Sequence, residues 1–498
     1  MGVQLTVADL LQLETLIYLI LSVLAGIIIG ALPGLTATMG VSLLVSTTVG
    51  LGSANAIVVM CGVFLGGIYG GSRSAILLNV PGTPSSAATA LDGFPLAKKG
   101  EGIKAGIVAT TFSALGGLVG CAFLLIFAPQ ISKVALKIGY WEYFWLGMFG
   151  VVIAGGMQAD KPYKGLLSGI LGLVVACIGI DGIYGVHRFT FGTRTLKAGI
   201  SLVPAMIGLF GLSEVFTSLS DPESHMIREK DKTGLRTLWG VVKESFVMLK
   251  KHLRLFIQSS VIGTFIGAVP GTGEDIASWV SYDTARHTSK EKELFGKGSW
   301  EGLIASETAN NACTGGVFIP MLTLGVAGDA VSAIIMGAMQ LHGYRTGPNF
   351  MVENPGFFLF LAITLVLINI VMFFQGVVMT PIIGKVLQIR MGIIMPIVTV
   401  LCVIGSYAVN TRTFDISVMV VFGFLGFLFK KLRIPTAPMA LGIILGELVE
   451  LNLRRGLMAG EYSIAPFFTR PVAAVFFVLF LTFIILPIVR NARSKKNK

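Results

Sequence analysis

The sequence predicts an all-α fold, a polytopic transmembrane helical bundle with two inverted-topology repeats and re-entrant or broken helices. Two observations carry this. The chain is 54% hydrophobic and only 13% charged, with a mean hydropathy of +0.82, too little charge to cover a soluble domain of 498 residues. Two apolar runs also stop in the same way, at Ile29-Gly30-Ala31-Leu32-Pro33-Gly34-Leu35-Thr36 and at Ile266-Gly267-Ala268-Val269-Pro270-Gly271-Thr272-Gly273. A second pair sets Asn79-Val80-Pro81-Gly82-Thr83-Pro84 opposite Phe318-Ile319-Pro320-Met321-Leu322-Thr323. A helix broken inside a bilayer exposes backbone polar groups that lipid cannot satisfy. Paired breaks in two halves are a sequence pointer to a transport site.

Taken in order, apolar segments near the roughly 20 residues that a bilayer needs fall at 13–32, 55–71, 105–128, 141–158, 164–181, 199–218, 255–270, 326–342, 357–380, 393–410, 415–430, 436–452 and 471–490. The stretches 34–50, 72–95, 272–284 and 301–325 are rich in Gly, Ser, Thr and Pro and suit re-entrant hairpins or broken helices. The division that follows is repeat 1 over 1–218, a cytoplasmic amphipathic linker over 219–254 and repeat 2 over 255–498. In the linker, Leu235, Leu238, Val242, Phe246, Leu249 and Leu253 recur every three or four residues, an apolar stripe for lying on the inner membrane surface or meeting a partner.

The net charge of +12 sits mainly in loops and tails, so it argues for membrane topology and not for nucleic acid. The segment 219–254 carries eight Lys/Arg against five acids, and Lys430-Lys431-Leu432-Arg433 and the tail from Arg490 are basic too. Placing all three on the cytoplasmic side, C-terminus included, sets Lys98-Lys99 inside and Arg345 outside. Equivalent loops then face opposite ways, which makes the halves inverted. The five cysteines form no CxxC pair, and the five histidines show no ligand spacing, so no cofactor is expected and the only metal in view is Na⁺.

The chemistry is expected at the breaks. Helix starts offer free N–H groups and the positive dipole end to an anion, and hydroxyls add donors without fixed charge. In the first half these are Thr36 and Thr38 after Pro33-Gly34, then Ser72, Arg73, Asn79, Gly82, Thr83 and Ser85 around Pro81; in the second, Thr272 and Gly273 after Pro270-Gly271. Arg73, the one basic residue before Leu96, suits a carboxylate or a snorkelling position at the membrane edge. Glu274, Asp275, Glu307, Asn310 and Asn311 supply oxygens near the breaks at Pro270 and Pro320, fitting a coupling cation, Na⁺ or H⁺. Glu274 and Asp275 equally suit plain capping of a helix start.

The motifs Gly30-Ala31-Leu32-Pro33-Gly34-Leu35-Thr36-Ala37-Thr38-Met39-Gly40, Tyr69-Gly70-Gly71-Ser72-Arg73-Ser74-Ala75-Ile76-Leu77-Leu78-Asn79-Val80-Pro81-Gly82-Thr83-Pro84 and Leu91-Asp92-Gly93-Phe94-Pro95 resemble the large membrane subunit of tripartite tricarboxylate transporters, as do Gly267-Ala268-Val269-Pro270-Gly271 and Glu307-Thr308-Ala309-Asn310-Asn311. The resemblance implies a bacterial inner-membrane permease for organic carboxylates, driven by a cation gradient. It implies two partners, a small membrane subunit of about four helices and a periplasmic solute-binding protein. It does not choose among citrate, other carboxylates and aromatic acids. No GxxxxGK[ST], HExxH or GxSxG occurs, so neither ATP hydrolysis by this chain nor an intramembrane enzyme is expected. The expected function is cation-coupled, binding-protein-dependent uptake by alternating access. The alternative is a stand-alone secondary carrier or an anion channel. A homodimer is compatible with the sequence, but no residue points to one.

Overall fold

The helices are a mixture of long, apolar rods and short pieces that cannot cross a bilayer. In the computed structural model, which describes residues 5–32, 35–157, 162–220, 235–387 and 391–496, the chain opens with α1 (Leu13–Ala31), α2 (Ala37–Thr48), α3 (Ser53–Leu78), α4 (Ala87–Leu96) and α5 (Gly102–Ala135). Then come α6 (Tyr140–Met157), α7 (Pro162–Ala176), a two-residue hairpin of β1 (Gly179–Ile180) and β2 (His187–Arg188), α8 (Leu202–Met206) and α9 (Ser213–Ser220). The central helix α10 (Leu235–Lys251) leads to α11 (Leu253–Gly267), α12 (Gly273–Thr288), α13 (Trp300–Leu324), α14 (Ala330–Leu341), α15 (Phe350–Glu353) and α16 (Pro355–Met379). The chain finishes with α17 (Ile383–Val386), α18 (Met391–Asn410), α19 (Thr413–Lys431), α20 (Ala437–Ala459), α21 (Pro466–Thr469) and α22 (Pro471–Lys496). Among the described residues, seven helical stretches are long and apolar enough to span a membrane, so the all-α polytopic expectation holds.

The short helices mark the interruptions. With 12 residues each, α2 and α14 reach about 18 Å at 1.5 Å per residue, well under the roughly 30 Å of hydrocarbon. The stretch 326–342 is therefore not a crossing by itself. The chain stops α1 at Leu32, and Thr36 starts α2 by accepting the Met39 N–H at 3.1 Å. Pro33 and Gly34 lie outside the described residues. The break after α11 is real: Gly271 takes φ 80° between Gly267 and Gly273, a conformation other residues adopt at a cost. The break after α3 is also real, spanning Asn79 to Thr83.

The fourth break departs from expectation. Pro320 lies inside α13, which runs unbroken for 25 residues from Trp300 to Leu324, so 301–325 is neither re-entrant nor broken. A proline removes only one ladder N–H, and neighbours can hold the kinked turn. Here α13 is buried on all sides between α5, α11 and α12. The chain breaks instead at Gly325, φ 69°, whose N–H returns to the Pro320 carbonyl, and α14 restarts on an Asp329–Ser332 capping box.

Close packing sets the layers. α1 lies along α3, and a Cβ placed on Gly26 would stand 2.7 Å from the Val63 carbonyl. α11 lies along α13, and α5 along the other side of α13. The final helices of the two halves are exchanged: α20 packs on α6 and α7, whereas α19 packs on α9 and on the wide helical turn Ile207–Leu212. In α10 the expected stripe is partial. Leu238 and Val242 are buried against Ile107 and Val377, but Phe246 is exposed and Leu253 belongs to α11, because the buried face follows Leu238, Val242 and Ser245 onto α5.

Candidate functional site

Five helix starts, those of α2, α4, α12, α14 and α20, meet around one cavity of about 700 Å³. Thr36 and Thr38 come from the start of α2, and Thr83, Pro84 and Ser85 from the turn that opens α4. Thr272, Gly273, Glu274 and Asp275 come from the start of α12, and Asp329 from the start of α14. The interruptions before α2, α4, α12 and α14 place these starts at the cavity, and one first-turn N–H is already capped in α2 by Thr36 and in α14 by Asp329. The remaining lining comes from Phe210 and Glu214, from Trp279 and Val280 of α12, from Lys430 of α19 and from Thr436 and Ala437 at the start of α20.

The first-half wall is hydroxyl-rich and uncharged. Thr83 and Ser85 are buried, with their hydroxyl oxygens 2.9 Å apart, and Ser86 donates to the Thr83 carbonyl at 2.7 Å. The second-half wall is acidic. Thr272 donates to the Ile266 and Val269 carbonyls at 2.5 and 2.8 Å, closing off the end of α11. Glu274 is 6% exposed, and its Oε2 has no hydrogen-bond partner. Asp329 Oδ1 accepts the Ser332 N–H at 2.7 Å, and its carboxyl group is a neighbour of that of Glu274. Asp275 interacts with both.

Of the residues singled out from the sequence, Thr36, Thr38, Thr83, Ser85, Thr272, Gly273, Glu274 and Asp275 line the cavity together. The rest lie elsewhere. Gly82 is buried behind the wall, donating its N–H to the Gly71 carbonyl at 3.2 Å. Pro81 sits in the turn before it, and Asn79 is an exposed left-handed residue ending α3. Arg73 is 2% exposed, bonded to Thr110 at 2.8 Å and Thr380 at 3.3 Å, with its guanidinium 4.6 Å from the Tyr69 ring centre. It is neither in the cavity nor snorkelling. Ser72 serves Glu307, whose carboxylate accepts three hydroxyls: Ser72 at 2.6 Å, Thr89 at 2.5 Å and Ser113 at 2.6 Å. Asn310 and Asn311 are fully buried on the same helix with unpartnered amide atoms.

Sequence reasoning missed Asp329, Glu214, Trp279, Lys430 and Thr436. A signal for Asp329 existed in Gly325-Val326-Ala327-Gly328-Asp329, a helix stop followed by a capping residue. Lys430 carried only its topological meaning, since nothing local shows that α19 ends beside the cavity. Among the described residues, no group of three or more His, Cys, Asp or Glu is arranged to hold a metal ion. A Na⁺ here would therefore rely on carbonyl and hydroxyl oxygens beside single carboxylates.

The model of the tripartite tricarboxylate transporter TctA family matches residues 16–441. The chain is 34% identical to an uncharacterized 52.8 kDa protein in the TAR-I ttuC′ 3′ region of Agrobacterium vitis, over 97% of this chain and 95% of that one. It is also 34% identical to an uncharacterized protein in the TAR-II ttuC′ 3′ region of the same organism, over 47% of this chain and 98% of that one. No solved structure matches. With its paired helix breaks meeting at one cavity and a family match over most of its length, the chain belongs to the tripartite tricarboxylate transporter TctA family.

Proposed function

We propose that this multi-pass permease takes up tricarboxylates or related organic carboxylates by alternating access, coupled to Na⁺ or H⁺. In this reading a periplasmic binding protein delivers the substrate, a small membrane subunit of about four helices accompanies the permease, and the assembly sits in the bacterial inner membrane. One observation carries the reading, the convergence of five helix starts on a cavity that is hydroxyl-lined on one side and acidic on the other. Helix starts and hydroxyls suit a carboxylate that must later leave. Three neighbouring carboxyl groups, Glu274 and Asp329 buried and Asp275 half-buried, repel one another, so a cation or proton among them offsets the charge that a carboxylate substrate brings.

Two inverted repeats give this site its means of switching sides. The order of a helix, a break, a short helix and a long helix occurs in α1–α3 and again in α11–α13, and rocking one such unit against the exchanged bundles re-exposes a fixed site. The body with the starts of α2, α4, α12 and α14 is taken as mobile, and the bundles of α6, α7 and α20 and of α9, α18 and α19 as the frame.

The test is uptake of labelled citrate, dicarboxylates and aromatic acids by vesicles holding this chain, the small subunit and the binding protein. Sodium and proton gradients are imposed separately. The expected result is saturable uptake that needs the binding protein and collapses with one gradient. Saturable uptake without the binding protein leaves a stand-alone carrier, and non-saturating, gradient-independent flux leaves a channel.

A further inference from the structure

The cavity contains a charge arrangement that transport of a simple anion does not require. Among its described lining residues four are acids, Glu214, Glu274, Asp275 and Asp329, and one is basic, Lys430. Lys430 Nζ is paired with Glu214, their side chains 33% and 16% exposed. Beside this pair the 23-residue helix α20 begins, and the hydroxyl of its first residue's neighbour Thr436 caps none of its N–H groups. The same cavity holds the unpartnered Oε2 of buried Glu274, an atom that asks for a ligand.

We propose that Lys430 is the receptor for a second substrate carboxylate, held in reserve by Glu214, and that it selects acids with two or more carboxylates. This rests on the carboxylate-transport reading above. The wall of Thr36, Thr38, Thr83 and Ser85 carries no charge and offers one carboxylate the N–H groups of two helix starts. A second carboxylate of the same molecule cannot sit beside Glu274, Asp275 and Asp329 without a cation between. It can sit at Lys430, where the ammonium, the Thr436 hydroxyl and the Ala437 N–H can donate; Pro438 brings no N–H, and the Met439 N–H is bonded to the Thr436 carbonyl.

Glu214 makes the exchange reversible. In the empty cavity it compensates Lys430, so the amine keeps a counter-charge until a substrate carboxylate arrives. An arriving carboxylate replaces it one for one, and on release Glu214 pairs again. The site therefore binds polyvalent acids without holding them so tightly that turnover stalls. Lys430 acts in this way as a specificity-determining residue and Glu214 as its competitor.

The experiment is calorimetric titration of citrate, succinate and propionate into the purified full-length chain, wild type against K430Q, K430R and E214Q. In K430Q the affinities for citrate and succinate are expected to fall roughly tenfold or more, as for loss of a charge-assisted contact, with propionate unchanged. K430R retains most of the affinity. E214Q binds citrate more tightly than wild type, a gain that misfolding cannot produce. Citrate and propionate affinities falling together in K430Q, citrate affinity unchanged in K430Q, or no gain in E214Q overturns the assignment. Wild-type protein that binds none of the three acids overturns the carboxylate reading and this inference with it; wild-type binding that K430Q retains overturns only the role of Lys430.

Discussion

Ser72 donates its hydroxyl to Glu307 Oε1 at 2.6 Å, joining α3 of the first half to α13 of the second across fully buried surroundings. Thr89 of α4 and Ser113 of α5 donate to the same carboxylate. One side chain thus fastens three helices to a fourth, at a depth where no water competes for its lone pairs.

Removing that carboxylate leaves three buried hydroxyls without their acceptor. Glu307→Ala is expected to cost roughly 3 kcal/mol or more, and Glu307→Gln, which keeps one acceptor and the shape, about 1–2 kcal/mol. Thermal unfolding of the purified variants measures both, and equal melting temperatures for wild type and Glu307→Ala would refute the fastening role.

Asp92 does comparable work at the edge of α4. Its Oδ1 accepts the N–H groups of Gly296, Gly298 and Ser299 at 2.9, 2.9 and 2.8 Å, and its Oδ2 accepts the Tyr282 hydroxyl at 2.9 Å. Asp92→Asn exchanges an acceptor oxygen for a donor among four groups that all donate. The expected loss is about 2–3 kcal/mol, with faster amide exchange over 295–299 than in wild type. Protection unchanged at those amides counts against it.

Gly26 allows α1 to touch α3. A methyl at this position meets the Val63 carbonyl at 2.7 Å and the Gly67 nitrogen at 2.9 Å, backbone atoms that cannot swing aside. Gly26→Ala is expected to destabilise by about 1–3 kcal/mol through overpacking, whereas Gly50→Ala, with open space around it, stays near wild type. Comparing the melting temperatures of these two variants tests the contact directly.

Transport separates the cavity from its surroundings. Thr36→Ala and Asp275→Asn are expected to cut uptake at least tenfold at equal expression, because each alters a group that lines the cavity. Asn79→Ala, on an exposed turn, is expected to keep uptake within about twofold, in line with a surface substitution. Normal uptake in both cavity variants would place the site elsewhere.

The helix breaks were legible where a proline met a glycine that the turn requires, as at Pro270-Gly271. They were misplaced where a proline stood alone in a buried helix, as at Pro320, since the helices packed around it hold that turn in place. Hydroxyls and acids directly after a break reached the cavity because they occupy helix starts by local sequence alone. Arg73 and Glu307 are equally polar and close to the motifs, yet side-chain direction within α3 and α13 sends them into helix contacts. Lys430 and Glu214 reach the cavity only through the exchange of end helices, a tertiary relation that no local pattern records.

That exchange also imposes an order of events on synthesis. α6 and α7 are made early, but their partner α20 begins roughly 260 residues later, some tens of seconds of elongation at about 5–20 residues per second. Until then the first half has an unfilled groove inside the bilayer that a chaperone, a lipid or a neighbouring copy can occupy. A chain truncated before Ala437 is thus left incomplete in its first half as well as its second, although it lacks only about the last eighth of the sequence.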